Sequence, residues 1–166
     1  MAERVIAYLG LGGNVGNVAA AMQAGLDGLK AQPQVDVTAV SRVYKTPPWG
    51  PVEQDWYLNA CAEIETSLSP TQLLDMVLSI ERSLGRIRGT RWGPRTLDID
   101  ILLFGDKPVS LEHLTIPHPR MTERAFVMVP LADIAPQRII AGYPVSAYAR
   151  GFGDTQIEAA EVELKV

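Results

Sequence analysis

The sequence predicts an α+β fold of the ferredoxin-like type, a βαββαβ arrangement in which an antiparallel sheet carries both helices on one face. Three observations support this prediction. Four short runs are apolar or alternate apolar with polar residues, as strands do. Two longer segments repeat apolar residues every three or four positions, as helices do. The second and third strands follow each other without a helix between them, which excludes a regular alternation of strands and helices.

Apolar spacing and a glycine-rich stretch mark the first strand and helix. Residues 5–9 form an apolar run that ends at Gly10, which predicts a buried strand followed by a tight turn over residues 10–17. We expect Asn14 or Asn17 to cap the next helix, and Pro33 to close it. The buried face of that helix carries Val18, Met22, Leu26 and Leu29.

Gly10-x-Gly12 followed by Gly16 has some likeness to a phosphate-binding turn. However, the dinucleotide-binding fingerprint requires Gly or Ala where Val15 stands, and the Gly-Lys-Ser/Thr of a P-loop is absent. We therefore interpret these glycines as a structural strand-to-helix turn.

Two further strands and a second helix follow. Val35, Val37 and Ala39 predict a strand that continues towards Tyr44, and a proline-rich loop comes next. The third strand has one apolar face, formed by Leu58, Ala60, Ala62 and Ile64, and a reverse face with Tyr57, Asn59 and Cys61. Ser69 and Gln72 predict a capping box with Pro70 at the first helical position. The buried stripe of the helix comprises Leu73, Val77, Ile80 and Leu84.

Gly85 is expected to end the second helix, and residues 97–104 form the fourth predicted strand. After residue 105, we expect additional elements that wrap the edge or the open face of the sheet. They are expected to be broken into short pieces by Pro117, Pro119, Pro130 and Pro136. From Gly151 onward we expect a loop with a short strand.

The most informative segment is residues 86–100, RIRGTRWGPRTLDID. Side chains alternate along a strand, so Asp98 and Asp100 share one face, about 6–7 Å apart at the backbone. Two such carboxylates suit Mg²⁺, and nearby guanidinium groups suit phosphate oxygens. A solvated edge strand is the alternative, but Asp is disfavoured in strands and neighbouring like charges repel. The segment therefore predicts chemistry on a polyphosphate.

Other polar residues are expected to join this acidic pair. If the helices cover the opposite face, Tyr57 and Asn59 lie on the open face with Asp98 and Asp100, where a ring for stacking and an amide could read a heterocycle. The alternative is that they form the wet face of a half-exposed strand. His118, held between two prolines and followed by arginines, indicates a phosphate contact, although a lone histidine is more often structural.

The composition is typical of one soluble globular domain, which we expect to span residues 1–166. The net charge of −4 argues against a nucleic-acid partner. The single cysteine, Cys61, excludes an intrachain disulfide and indicates a reducing compartment. No signal peptide is visible, and no apolar run approaches the roughly 20 residues of a membrane helix. We therefore expect a cytoplasmic monomer with no membrane partner.

Seven segments follow the order of one enzyme family. They are LGLGGN (9–14), YKTPPWG (44–50), YLNA (57–60), IE (80–81), GR (85–86), RWGPRTLDID (91–100) and LTIPHP (114–119). With these segments the sequence resembles the 6-hydroxymethyl-7,8-dihydropterin pyrophosphokinase family of folate biosynthesis, over about residues 4–140. The fold of that family is the one predicted above, with extra elements.

The resemblance implies an enzyme that transfers pyrophosphate from ATP to the pterin hydroxymethyl group and releases AMP. It implies that Asp98 and Asp100 hold two Mg²⁺ ions and that Arg86 and Arg95 stabilise charge on the transferring group. Further contacts to ATP are implied for Ile101, Thr115, His118 and Arg124. Contacts to the pterin are implied for Thr46, Pro47, Trp49, Tyr57, Asn59, Trp92 and Phe126.

Three other functions are less consistent with the sequence. A catalytically silent relative that binds a nucleotide or a pterin is disfavoured by the intact acidic pair and arginines. An RNA-binding module would need a basic face with several aromatic residues, but only Tyr8 and Tyr57 qualify and the chain is acidic. A Rossmann-type dinucleotide binder is disfavoured by the direct succession of the second and third strands.

Overall fold

The computed structural model describes residues 3–14, 16–47, 56–86, 97–153 and 157–166. Their helices and strands show a mixed α/β fold built on an antiparallel sheet. In chain order they are β1 (Val5–Gly13), α1 (Val18–Lys30), β2 (Val35–Val40), β3 (Tyr44–Thr46), β4 (Tyr57–Thr66), α2 (Pro70–Arg86), β5 (Asp98–Phe104), β6 (Val109–Leu111), β7 (Leu114–Ile116), a 3₁₀ turn (Met121–Glu123), α3 (Ala125–Ile134), β8 (Ile139–Ile140), β9 (Tyr143–Pro144), α4 (Val145–Gly151) and β10 (Glu158–Ala159). None of the helices in these ranges is long and apolar enough to cross a membrane.

The main sheet has the strand order β10-β3-β4-β1-β5, and β2 also pairs with β4. Every pairing in it is antiparallel. Strand β4 is thus joined on one side to β1 and on the other to β2 and then β3. The central strands β1 and β4 correspond to the predicted apolar run of residues 5–9 and to the predicted third strand with its single apolar face.

The predicted strand from Val35 towards Tyr44 follows this path but is interrupted. Ser41 lies at the break between β2 and β3, where its backbone N–H donates to the Cys61 carbonyl at 2.8 Å. Its hydroxyl oxygen also accepts a hydrogen bond from the Cys61 N–H at 2.8 Å. The side chain of Ser41 therefore takes the place of a backbone acceptor at this point, and the ladder divides into two strands.

The two faces of the sheet are covered differently. Helices α1 and α2 pack on one face around a core that includes Leu9, Met22, Leu26, Leu73 and Ile99. Helix α3 packs against β4 in a second cluster on the other face, which includes Tyr8, Cys61, Leu102, Met128 and Leu131. The prediction that the later residues reach the open face is confirmed in this respect.

The prediction of a turn over residues 10–17 is wrong for its first part, because β1 continues to Gly13. Gly10 and Gly12 are strand residues that pair with β4 on one side and with β5 on the other. Backbone pairing on both sides offsets the low strand propensity of glycine. The glycines therefore form part of the surface of the sheet.

Both predicted helix starts are confirmed. The Asn17 side chain accepts a hydrogen bond from the Ala20 N–H at 3.1 Å and caps α1. At the start of α2, the Ser69 N–H donates to the Gln72 side chain at 2.9 Å, while the Gln72 N–H donates to the Ser69 hydroxyl at 3.2 Å. This reciprocal pair is the predicted capping box. Gly85 does not end the helix, which runs on to Arg86.

The prediction that Pro130 breaks the chain is also wrong, because Pro130 lies inside α3. Proline in a helix interior costs about 3 kcal/mol. Here Pro130 is buried with Val127, Met128 and Leu131, so apolar packing offsets that cost. The short strand expected in the tail is confirmed as β10, whereas α4 was not predicted.

Candidate active site

One row of residues crosses four strands of the sheet on its open face. Asp98 on β5 lies opposite Gly12 on β1, Gly12 lies opposite Asn59 on β4, and Asn59 lies opposite Tyr44 on β3. Since neighbouring strands are about 4.8 Å apart, the backbones of Asp98 and Asn59 are separated by roughly 10 Å. Between the carboxylate and the amide there is only a glycine. Because Gly12 has no Cβ, the side-chain oxygen of Asn59 can lie over it, at a position where a Cβ would overlap that oxygen.

The next row repeats this arrangement one step along the sheet. Asp100 lies opposite Gly10, which lies opposite Cys61. The Cys61 side chain is buried and its sulfur lies 3.6 Å from the Val127 carbonyl of α3, so α3 covers this row at its Cys61 end. Burial raises the pKa of Cys61, and we assign the thiol a packing role.

A cavity of about 310 Å³ lies over the first row. It brings together most of the described residues that the sequence singled out. Its lining includes Thr46, Tyr57, Asn59, Asp98, Asp100, Arg124 and Phe126, together with the glycines of β1. Residues from β1, β3, β4, β5 and α3 therefore meet around one space.

Helix α3 supplies an aromatic ring and a cation to this cavity. The guanidinium carbon of Arg124 lies 5.4 Å from the ring centroid of Phe126, in the geometry of a cation–π contact. Arg124 immediately precedes α3, and its carbonyl accepts hydrogen bonds from the Val127 and Met128 N–H groups. This first turn fixes the backbone from which both side chains project.

The structure also determines which nitrogen of His118 carries the proton in the neutral ring. The Arg120 N–H donates to Nδ1 at 3.3 Å, so Nε2 is the protonated nitrogen. Burial lowers the pKa of His118, against the opposing effect of the Asp100 charge. His118 is therefore a neutral donor at neutral pH. Its backbone N–H donates to the Leu102 carbonyl at 3.0 Å, which attaches this loop to β5.

One contributor to the site was missed by sequence reasoning. The Glu81 carboxylate of α2 accepts a hydrogen bond at 2.8 Å from the N–H of Ile99, the residue between the two aspartates. A signal was available, because Glu81 follows Val77 by four positions and precedes Leu84 by three. A half-buried carboxylate on the apolar stripe of a helix needs a hydrogen-bonding partner.

Several predicted residues do not line this cavity. The Ile101 side chain packs into the core under α1 and α2, and Thr115 is exposed on β7. His118 is half-buried outside the cavity lining, and Pro47 is half-buried beside Thr46. The side chain of Arg86 and the residues Trp49, Trp92 and Arg95 lie outside the described residues. Their roles stay predictions.

The described residues contain no cluster of three or more His, Cys, Asp or Glu side chains that could hold a metal ion. The pair Asp98 and Asp100 nevertheless suits Mg²⁺, which keeps several waters and commonly binds one or two carboxylates together with substrate phosphates. Both carboxylates are exposed at the cavity wall, where phosphate oxygens could complete the coordination.

Comparison with known proteins identifies the family of the chain. Residues 8–136 match the family model of 7,8-dihydro-6-hydroxymethylpterin-pyrophosphokinase (HPPK). A 2-amino-4-hydroxy-6-hydroxymethyldihydropteridine pyrophosphokinase of Methylorubrum extorquens is 48% identical over 155 residues, covering 93% of this chain and 98% of the relative. Proteins of the same name from Pseudomonas aeruginosa (46% identical, 82% of this chain and 83% of the relative) and Bacillus subtilis (47%, 80% and 79%) are also similar.

The fold is shared with Plasmodium falciparum HPPK-DHPS, at a TM-score of 0.74 and 16% sequence identity. The similarity covers 92% of this chain, which spans 46% of the Plasmodium chain. At 16% identity this similarity shows the fold alone. The activity is shown by the bacterial relatives at 46–48% identity. The chain therefore belongs to the 7,8-dihydro-6-hydroxymethylpterin-pyrophosphokinase family, and it is a pyrophosphokinase of folate biosynthesis.

Proposed function

We propose that the cavity over β1, β4 and β5 is where this chain transfers pyrophosphate from ATP to the hydroxymethyl group of 6-hydroxymethyl-7,8-dihydropterin. The hydroxymethyl oxygen forms a bond to the β-phosphorus, the bond between that phosphorus and the α-phosphate oxygen breaks, and AMP leaves. The hydroxyl proton is released to solvent. The observation that supports this proposal is that Asp98 and Asn59 lie in one row across the sheet, separated by Gly12, and line the same cavity.

The pterin occupies the end of the cavity near Asn59. Tyr57 and Phe126 stack on the two faces of its ring, since both line the cavity and come from different elements. The Asn59 amide offers both a donor and an acceptor to the ring edge, together with backbone groups of Thr46 and Pro47. Trp49 and Trp92 are assigned to this end by family resemblance.

The triphosphate occupies the end near Asp98 and Asp100. These two carboxylates would hold two Mg²⁺ ions, which when bound neutralise phosphate charge and orient the triphosphate. Arg124, which lines the cavity, is assigned to phosphate oxygens, and so is the Nε2–H of His118, whose ring is close enough to Asp100 and Arg124 for their charges to act on its pKa. Arg86 and Arg95 are assigned to charge stabilisation on the transferring group. Thr115 and the Ile101 backbone are assigned to the nucleoside.

No general base is needed in this scheme. Phosphoryl-type transfers depend mainly on positioning and charge stabilisation, because little covalent chemistry falls to the protein. The described residues supply both functions. Asn59 and the aromatic rings orient the hydroxymethyl group, while the carboxylates, Arg124 and His118 fix the triphosphate.

The proposal also includes the fold type and the oligomeric state of the enzyme. The strand order β3-β4-β1-β5, with α1 and α2 on one face, supports a ferredoxin-like description of the first 104 residues. We also expect the enzyme to act as a cytoplasmic monomer. Its size in solution, measured by light scattering, tests the oligomeric state.

The test of the function is nucleotide product analysis with ATP, Mg²⁺ and 6-hydroxymethyl-7,8-dihydropterin. We expect AMP to appear only when the pterin is present and in step with pterin pyrophosphate. ADP as the nucleotide product would mean transfer of a single phosphoryl group. The absence of any turnover by folded protein would favour a silent relative that only binds its ligands.

A further inference from the structure

The C-terminal segment, residues 157–166, adds a strand to one edge of the main sheet. It lies beyond residues 8–136, the part of the chain that matches the family model. Strand β10 pairs antiparallel with β3, with Glu158 opposite Lys45. The pairing is extended by the Ala160 N–H, which donates to the Val43 carbonyl at 2.8 Å. Strand β3 is therefore flanked on both sides, by β4 and by β10.

The far end of the segment is anchored to the body of the protein. Leu164 is 6% exposed and belongs to the main core. The Gln23 side chain on α1 exchanges two hydrogen bonds with the backbone of Lys165, donating to its carbonyl at 3.0 Å and accepting from its N–H at 2.9 Å. The Lys30 ammonium donates to the same carbonyl at 3.3 Å. The segment is thus attached at both ends.

Strand β3 leads directly into the cavity. Its last residue, Thr46, lies opposite Tyr57 of β4, and both line the cavity. Lys45, the residue before Thr46, forms an ion pair with Glu158 at 3.6 Å and lies 5.6 Å from the ring centroid of Trp56. Lys45 therefore links Glu158 of the C-terminal segment to Trp56, the residue before Tyr57, and it is itself the residue before Thr46.

Strand β3 has only three residues, and a short strand with a single pairing partner opens easily. Its first residue, Tyr44, is buried and its hydroxyl donates to the Asp133 carboxylate of α3 at 2.9 and 3.0 Å, so the ladders matter most at Lys45 and Thr46, the residues nearest the cavity. Pairing with β10 converts it from an edge strand into an inner strand. Any shift of β3 moves Thr46 away from Tyr57 and widens the end of the cavity assigned to the pterin.

We infer that residues 157–166 are a positioning element for the pterin half of the active site, acting through β3 on Thr46 and Tyr57. The inference rests on the proposed location of the pterin. It assigns no contact with substrate to the segment itself. Asp98 and Asp100 are on β5, and two strands, β4 and β1, lie between β5 and β3, so binding of ATP does not depend on the segment.

The test uses two variants of the full-length enzyme with matched controls. Ala160→Pro removes the N–H that donates to Val43, whereas Ala160→Gly keeps it. Leu164→Ala removes the core anchor, whereas Leu164→Met keeps an apolar side chain of similar volume. Glu163→Ala changes an exposed residue of the same segment. For each variant, kcat, the KM for the pterin, the KM for ATP and the Tm are measured.

We expect Ala160→Pro and Leu164→Ala each to raise the KM for the pterin about tenfold, equal to about 1.4 kcal/mol, with less than a twofold change in the KM for ATP. The three controls should stay within twofold of the parent in both constants. A lower Tm with an unchanged pterin KM, or an equal rise in both KM values, would show that the segment only stabilises the fold and would overturn the inference.

Two further variants distinguish a failure of this inference from a failure of the proposed location of the pterin. Tyr57→Ala and Asn59→Ala are expected to raise the pterin KM whether or not the C-terminal segment contributes. If these two variants raise it and the segment variants do not, only the inference about the segment fails. If neither Tyr57→Ala nor Asn59→Ala affects it, the location of the pterin is wrong, and the inference falls with it.

Discussion

The Glu81 carboxylate accepts a hydrogen bond from the Ile99 backbone N–H at 2.8 Å and so joins α2 to the start of β5. Ile99 lies between Asp98 and Asp100, whose side chains point to the opposite face of the sheet. Because the three residues share one stretch of backbone, a contact made in the core determines where both carboxylates stand in the cavity. A hydrogen bond to a charged acceptor contributes about 1.5–3 kcal/mol.

Removing this contact should affect both stability and metal use. We expect Glu81→Ala to lower the free energy of unfolding by about 2 kcal/mol and to raise the Mg²⁺ concentration needed for half-maximal activity. Glu81→Gln should have smaller effects, because its amide oxygen still accepts a hydrogen bond. Asp75→Asn, an exposed change on the same helix, is the control. An unchanged Mg²⁺ requirement in Glu81→Ala would contradict the link to the aspartates.

The acidic pair itself should be indispensable for turnover. Asp98→Ala and Asp100→Ala are each expected to reduce Mg²⁺-dependent turnover by at least about a hundredfold, since a lost metal contact removes several kcal/mol of charge stabilisation. Both side chains are exposed, so the Tm should change little. Glu112→Ala, an exposed acidic residue away from the cavity, serves as the control. Retained activity in both aspartate variants would remove the metal assignment.

Gly12 should be intolerant of a side chain. A Cβ at this position would overlap the side-chain oxygen of Asn59, whereas a Cβ at Gly10 would meet the Leu102 side chain at an ordinary 3.5 Å. We expect Gly12→Ala to displace the Asn59 amide and raise the KM for the pterin about tenfold or more, with little change for ATP. Gly10→Ala is the matched control. Equal kinetics for the two variants would show that the Asn59 amide does not read the pterin.

Tyr8 should make stability depend on alkaline pH. Burial raises the pKa of Tyr8 from 10.0 to about 12, and its hydrogen bond to Glu63 acts in the same direction. The unfolded chain therefore loses this proton first, and the stabilisation, complete below pH 10, is lost as the pH rises from 10 to 12. Urea unfolding of the parent should weaken more steeply over this range than that of Tyr8→Phe. Parallel pH profiles would contradict this prediction.

The hairpin between β8 and β9 offers a stabilising substitution. Its two turn residues, Ala141 and Gly142, have positive φ angles of 49° and 88°. Such turns favour Asn-Gly, because a side chain with a Cβ is strained in the left-handed region unless it forms local hydrogen bonds. We expect Ala141→Asn to raise the free energy of unfolding by about 1 kcal/mol, because Asn avoids part of the roughly 1–2 kcal/mol that the left-handed region costs a residue with a Cβ. Gly142→Ala should lower it, and thermal unfolding measures both.

A sequence pattern predicts the structure correctly where the interacting residues are close together in the chain. The capping box of Ser69 and Gln72 spans three positions and needs no tertiary contact, so its geometry follows from the residues alone. The glycines of β1 show the opposite case. Without knowledge of the strands on either side, Gly10 and Gly12 have the composition of a turn, and only pairing with β4 and β5 makes them strand residues.

The same distinction applies to Pro130 and Glu81. Proline is a helix breaker by its own chemistry, but in α3 the burial of its neighbours outweighs the lost hydrogen bond. Glu81 has an unremarkable sequence context apart from its place on an apolar stripe. Its function as an acceptor for Ile99 depends on how α2 packs on β5, which no local pattern specifies.

By itself the sequence determined the type and order of the main elements, and it placed Asp98 and Asp100 on one face, because strand alternation and helix periodicity are properties of the local backbone. Only the tertiary structure decided that Asn59, Phe126 and the aspartates meet around one cavity. Their meeting depends on strand register and on where α3 packs. Both are set by contacts between residues far apart in the chain. A register shift of one residue would turn every side chain of a strand to the other face of the sheet.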